Sequence, residues 1–206
     1  MTQGKLYIIS APSGAGKTSL VKRLLNEIND LNVSVSHTTR AMREGEQQGI
    51  DYFFVSIEQF KQMQAHPDFL ESAQVFDHFY GTSQQGVVDN LTQGKDVILE
   101  IDWQGAQQIR KMLPDCHSIF ILPPSIDVLE QRLKNRGQDS QEIITRRMQD
   151  AVIEISHHHE FDYLIVNDDF EQALSALKSI ILSQRLLRSR QQSKLKPLLD
   201  QLGYRP

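Results

Sequence analysis

A single cysteine, Cys116, stands in a sequence of 206 residues. One thiol cannot build an internal disulfide framework, so the fold must rest on packing, and Cys116 reads as a small core residue. The count fits a reducing compartment, and we expect a cytoplasmic protein. Long apolar runs are also missing: none approaches the roughly 20 residues that a bilayer-spanning helix needs. The opening MTQGKLYIIS has too short an apolar run for a secretory signal, and no small-residue cleavage site follows it. Charge of one sign is not in excess. Lys and Arg number 22 against 26 Asp and Glu, a formal net charge of −4, which argues against a general nucleic-acid binder. Internal repeats and low-complexity tracts are absent. What is there is 39% hydrophobic and 23% charged, in a length that suits one domain with a real core.

Short apolar runs alternate with helical patterns. LYIIS (6–10), KDVILEID (95–102), SIFILPP (118–124) and DYLIVND (162–168) read as buried strands. Helical patterns cover 17–29, the stretch WQGAQQIRKML and 170–191. Such alternation predicts an α/β fold with a parallel sheet covered by helices on both faces. Two segments break the rhythm. Residues 34–81 carry short strand-like pieces and one helix at 57–65, capped by Ser56 with Gln59 three residues on; this is a small mixed α/β insertion. Residues 125–160 are helical, polar and arginine-rich, with a hinge expected at Gly137; this reads as a mobile cover. The core is then 4–33, 82–124 and 161–187, and 188–206 is a basic tail, a solvated helix end.

The first strand runs into APSGAGKTS, residues Ala11, Pro12, Ser13, Gly14, Ala15, Gly16, Lys17, Thr18 and Ser19. A-x-x-G-x-G-K-T differs from the P-loop pattern only in its first glycine. Glycines let main-chain N–H groups turn inward around phosphate oxygens, and the following helix N-terminus adds positive potential. Lys17 would neutralise β/γ oxygens, and Thr18 would ligate Mg²⁺. With a strand before and a helix after, this is a P-loop NTPase core.

The insertion holds SHTTRAMREGEQQGIDY, where Arg40 and Arg43 lie among Ser36, Glu46 and Tyr52. Guanidinium groups bind phosphate through forked, charge-assisted hydrogen bonds, although two surface arginines would look the same. In FLESAQVFDHFYGTS, Glu71 sits within a largely apolar run, followed by Tyr80 and Thr82. A buried carboxylate needs a partner. Guanine offers one in its adjacent N1–H and N2–H₂ donors, whereas adenine N1 would repel a carboxylate; a hydroxyl from Thr82 or Ser36 could serve guanine O6. An edge-strand surface carboxylate is the other reading. In the cover, Arg132 and Arg136 are one turn apart and share a face, with Ile126, Leu129 and Leu133 on the packed side and Arg147 in the next helix. They suit either a transferring phosphoryl group or a solvated basic face.

In order along the chain, SAPSGAGKT, SVSHTTRAMREGE, DYFF, FLESA, YGTS, IDWQGAQQIR, ILPPS, RLKNRGQDS and YLIVNDD resemble the guanylate kinase family, its bacterial form most closely. The resemblance covers nearly the whole chain. It implies a P-loop core, a GMP-binding insertion and a helical lid, and an Mg²⁺-dependent transfer from ATP to GMP or dGMP in purine metabolism. It implies that Ser36, Glu71 and Thr82 read guanine, and that Arg40, Arg43, Tyr52 and Tyr80, with Glu46 beside them, hold the GMP phosphate. Lys17 would sit on the ATP phosphates, with Arg132, Arg136 and Arg147 around the transferring group. Asn167 and Asp168 match a motif near the adenine end. The family pattern D-I-D is Glu100-Ile101-Asp102 here; its first acid belongs to the guanine side, and Asp102 would order Mg²⁺-bound water. Scaffold modules of similar fold bind phosphopeptides, but their phosphate loops are degraded, unlike this one. Nucleic acid and membrane are not expected as partners, and self-association is left open. His157, His158 and His159 point apart on a helix and read as a solvated helix end, while Trp103, Phe53 and Phe54 read as packing.

Overall fold

The computed structural model describes residues 3–75, 77–135 and 140–203, the side chain of Ser193 excepted. The chain runs β1 (Leu6–Ser10), α1 (Lys17–Glu27), β2 (Leu31–Val33), β3 (His37–Thr38), β4 (Phe53–Phe54), α2 (Ile57–Ala65), β5 (Phe69–Val75), β6 (His78–Ser83), α3 (Gln84–Thr92) and β7 (Asp96–Glu100). It continues with α4 (Trp103–Met112), β8 (His117–Leu122), α5 (Ile126–Asn135), α6 (Gln141–Ser156), a 3-10 turn (His157–Glu160), β9 (Tyr163–Val166), α7 (Phe170–Arg185) and α8 (Arg188–Gln201).

Five strands form one sheet in the order β2-β7-β1-β8-β9, and every pairing is parallel. All five residues of β1 are buried, because helices cover both faces. Alternation along the strand divides its side chains between two cores. Tyr7 and Ile9 pack with Leu20 and Leu24 of α1 and Leu174, Leu177 and Ile181 of α7. Leu6 and Ile8 pack with Val87 and Leu91 of α3 and Ala106 and Ile109 of α4. The connection after β1 runs to β2 at one edge and that after β8 runs to β9 at the other, so a crevice opens at the carboxyl ends of β1 and β8, where ligands bind in such folds.

A second sheet, β4-β3-β6-β5, belongs to the insertion. Its small core is aromatic: Phe60 is fully buried and its ring stacks on Phe69 and Phe79 at centroid distances of 4.8 and 5.6 Å. The expected cap of α2 is present as a reciprocal box. Ser56 Oγ accepts from Gln59 N at 3.2 Å, and Gln59 Oε1 accepts from Ser56 N at 3.0 Å.

Three elements were not legible in advance. The short edge strand β2, the return strand β6 and helix α3 lack the long apolar runs that marked the others. The helix expected over 170–191 instead stops at Arg185. Leu187 adopts an extended conformation (φ −55°, ψ 137°) and α8 starts afresh. A buried carboxylate across the fold organises this break. Asp96, 1% exposed, is held by Arg185 Nε at 2.8 Å, by Arg190 Nη2 at 3.0 Å and by Lys5 N at 2.8 Å. The first turn of the tail is therefore anchored, while Leu195, Leu198 and Leu202 beyond it are exposed. Gly137, the expected hinge, lies outside the described residues. Among those described, no helix is long and apolar enough to cross a membrane.

Candidate active site

The loop after β1 enters α1 through Gly16, which has φ 94° and closes the turn at the helix N-terminus. A side chain there would be strained and would also collide with Asn167 Nδ2. Asn167 is 5% exposed and donates to Ala15 O at 2.7 Å, so it ties the far end of β9 to the phosphate loop. Asp168 next to it is exposed, and Asp169 caps α7 by accepting from Gln172 N at 2.8 Å. Leu129 and Leu133 of α5 close over Gly14. That packing carries Arg132 to the loop: its Nη2 donates to Asn167 O at 3.0 Å, and its Nη1 is buried with no hydrogen-bond partner among the described residues.

Across the crevice, β5 and β6 pair with Glu71 opposite Thr82, next to an irregularity between Phe69 and Glu71. Glu71 is 3% exposed and accepts from Thr82 Oγ1 at 2.5 Å. Its other carboxylate oxygen leans on α4 at Gly105, where a Cβ would come within 2.5 Å of it. Burial pushes the Glu71 carboxyl up to about 7; the Thr82 hydroxyl works against this rise, and the Asp102 charge adds to it.

The insertion's arginine turn is also preassembled. Arg40 pairs with Glu46 at 2.7 Å, and its guanidinium lies 5.4 Å from the Tyr52 ring centroid. Glu46 also accepts from Arg43 N at 2.8 Å. Burial alone would raise the Glu46 carboxyl, but the Arg40 hydrogen bond and the Arg43 N–H hold it below its ordinary range. Tyr52 and Tyr80 meet edge to face at 6.0 Å. Burial, with Tyr80 and Glu100 nearby, pushes the Tyr52 hydroxyl up to about 12, so it stays a donor. Ser36, 7% exposed, sits at the start of this sheet.

The family model for guanylate kinase matches residues 3–184. The chain belongs to the guanylate kinase family. It is 59% identical over 199 residues to the guanylate kinase of Pseudomonas fluorescens (strain Pf0-1), covering 97% of each chain. It is 60% identical over 192 residues to that of Hahella chejuensis, covering 93% of this chain and 92% of the relative. Among solved structures, guanylate kinase from Anaplasma phagocytophilum superposes with a TM-score of 0.76 at 34% identity, over 92% of this chain and 90% of that one. Guanylate kinases are ATP:GMP phosphotransferases, which accounts for a phosphate loop facing a second basic, aromatic site.

Against that family pattern, Glu100 lies where its length takes it. Its Oε2 accepts from Thr18 Oγ1 at 3.1 Å, on the phosphate-loop side of the crevice, with Tyr52 near enough to feel its charge. Asp102 is partly engaged as the cap of α4, accepting from Gly105 N at 2.9 Å. Thr18, Glu100 and Asp102 are all hard oxygen donors, as Mg²⁺ prefers. No group of three or more His, Cys, Asp or Glu side chains that could cage a metal occurs among the described residues. Mg²⁺ typically keeps several waters and takes one or two carboxylates plus substrate phosphates, so these residues fit it.

Arg147 is half-buried on α6, and Arg136 lies outside the described residues. Sequence reading missed Glu154, also on α6. It lines a cavity of about 190 Å³ with Gln74, Asp102, Gln104, Asp150 and Ile153 among others, near enough to Lys17 to feel its charge. Burial raises its carboxyl to about 7, the Lys17 ammonium opposing and Asp102 and Asp150 adding. The signal was available: Glu154 interrupts the apolar run AVIEI as Glu71 interrupts FLESA. Arg146, on the same helix, reaches Asp77 at 3.0 Å, bridging the cover to the insertion.

Proposed function

We propose a division of labour for the transfer of the γ-phosphoryl group from ATP to GMP in this chain. The phosphate loop, residues 11–19, wraps the ATP phosphates with its N–H groups, and Lys17 neutralises the β/γ oxygens. Asn167 keeps that loop in shape, while exposed Asp168 faces the nucleoside end. Arg40, Arg43, Tyr52 and Tyr80 hold the GMP phosphate, with Glu46 aiming Arg40 by the 2.7 Å pair. Ser36, Glu71 and Thr82 read guanine. Arg132, Arg136 and Arg147 gather round the group in flight, where two anions must meet. Phosphoryl transfer asks for position and charge stabilisation, and the GMP phosphate is already ionised, so no general base is assigned.

Thr18 and Asp102 would hold Mg²⁺, Asp102 through water, with Glu100, from the guanine side, bonded to Thr18 beside them. When bound, Mg²⁺ would supply positive charge against the transferring phosphate. Closure of residues 125–160 over the crevice excludes water as the acceptor. Because recognition rests on the base and the phosphate, dGMP is accepted as well as GMP.

The carrying observation is Glu71: a carboxylate 3% exposed whose hydrogen-bond partner is a neutral hydroxyl rather than a cation. A coupled ADP-release assay with Mg-ATP against GMP, dGMP, AMP, CMP, UMP and dTMP tests the reading. Fast turnover is expected with GMP and dGMP alone. Comparable rates with AMP would remove Glu71 from base selection.

A pH prediction follows from the same group. Guanine donors need the carboxylate, and the neutral acid prevails in the free protein below about 7. GMP affinity therefore falls as pH drops below that value, and binding in this range releases a proton. Calorimetric titration of GMP in buffers of different ionisation enthalpy reads the proton directly. Heats that do not depend on the buffer at about pH 6.5 would contradict it.

A further inference from the structure

Trp103 and His157 lie face to face, their ring centroids 3.6 Å apart and their planes within 6°. His157 is the C-cap residue of α6, and Trp103 is the first residue of α4, directly after Asp102. A polar clasp reinforces the stack. His157 Nδ1 lies 2.6 Å from Glu160 Oε1. Glu160 in turn accepts from Arg110 Nη2 at 2.6 Å and from Gln107 Nε2 at 2.9 and 3.0 Å, both on α4. Only two of the three histidines behave as a helix end should: His158 and His159 contact the main-chain carbonyls of Ile155 and Ser156. His157 is taken up by the stack, its side chain 22% exposed.

The position of this contact gives it leverage. On α6, Asp150 and Glu154 line the cavity beside Asp102, Arg147 shares their helix face by its spacing of three and seven residues, and the C-terminal end is clamped at the turn that holds Asp102. Arg147 lies ten residues before His157, about 15 Å along the helix at about 1.5 Å per residue, so a swing of about 4° displaces it by about 1 Å. A misplacement of about 1 Å can cost about 10²-fold in rate. Overlapping rings resist tilt as well as separation, which a single hydrogen bond does not.

We propose that the Trp103–His157 stack is the fixed pivot of α6, a pair of positioning residues for phosphoryl transfer. The proposal rests on the reading of Arg147 as an arginine of the transfer site. Neither ring touches the reacting atoms. Each acts by holding the helix that presents Arg147 and Glu154, and the Glu160 clasp secures the imidazole in register.

The test compares His157→Ala and His157→Phe with the parent full-length chain. His157 is chosen over Trp103 because it closes a helix end and its loss leaves the sheet core intact. In His157→Ala, amide hydrogen exchange in the last two turns of α6 accelerates, while β1 and β8 keep parental protection. kcat falls about 10- to 100-fold, and KM for GMP and ATP stays within about threefold. His157→Phe restores the flat stack without the Glu160 bond and returns both readouts to near the parental values. Unchanged exchange in α6, unchanged kcat, or a Phe variant no better than Ala would each overturn the pivot. Hydrogen exchange decides this without turnover, so absence of GMP phosphorylation by the parent would fail the transfer reading alone.

Discussion

Replacing Arg132 with alanine lowers kcat by about 10³-fold or more, while the Kd for GMP stays within about threefold. The magnitude follows from where the guanidinium sits. One nitrogen is engaged by Asn167 O at 3.0 Å, which fixes the plane of the group. Another, Nη1, is buried beside the phosphate loop with no hydrogen-bond partner among the described residues. An unmet buried donor is costly, typically about 1–3 kcal/mol, and that cost is relieved when an anion arrives. An arginine so prepared acts on charge in the transition state and contributes little to ground-state binding of GMP. Lysine at this position restores only part of the rate, because it keeps the charge and loses the fork. Steady-state kinetics with calorimetric GMP titration separates the two quantities. A kcat within about tenfold of the parent would leave Arg132 as a support for Asn167 and the loop.

The second large effect is expected at Glu71. Glu71→Gln keeps the shape and the Thr82 contact but replaces one acceptor oxygen with an NH₂ donor. Guanine then meets a donor where it needs an acceptor, and a desolvated mismatch of that kind is expensive. Sites built to hydrogen-bond a substrate reject mismatched partners by about 10⁴–10⁵, so kcat/KM for GMP should fall by about 10⁴. The GMP:AMP preference collapses with it, and proton release on GMP binding disappears because no group of raised pKa remains at that position. At 3% exposure, Glu71 has to be uncovered before a base can reach it. Opening rehydrates the carboxyl and favours its charged form, so exposure and ionisation of Glu71 accompany one another. Parental selectivity in the Gln variant, measured by kcat/KM for both nucleotides, would place base recognition elsewhere in the insertion.

Legibility in the sequence varied with the kind of interaction. β1 matches its apolar run residue for residue, because a strand buried on both faces must be apolar throughout. The phosphate loop was readable because a left-handed turn around phosphate leaves few residue choices. The Ser56 cap was readable because its box needs only two residues three apart. By contrast, α3 and β6 were not, since half-exposed elements tolerate polar residues at most positions. The end of α7 was hidden for a different reason. Neither glycine nor proline marks residues 186–187, and the break is organised by Asp96, some ninety positions earlier, drawing Arg185 and Arg190 toward it.

The site divides along the same line. Residue types alone pointed to the β/γ oxygens for Lys17, to Mg²⁺ for Thr18, to a polar partner for a buried Glu71 and to an anion for Arg40 and Arg43, because charge and hydrogen-bonding capacity belong to the side chain itself. Tertiary structure alone decided the rest. It placed Asn167 under the loop, turned Glu100 toward Thr18, brought Glu154 within reach of the Lys17 charge, and took His157 out of solvent onto Trp103. Each of these pairs residues more than fifty positions apart, and such contacts exist only once the sheet order and the helix packing have brought the elements together.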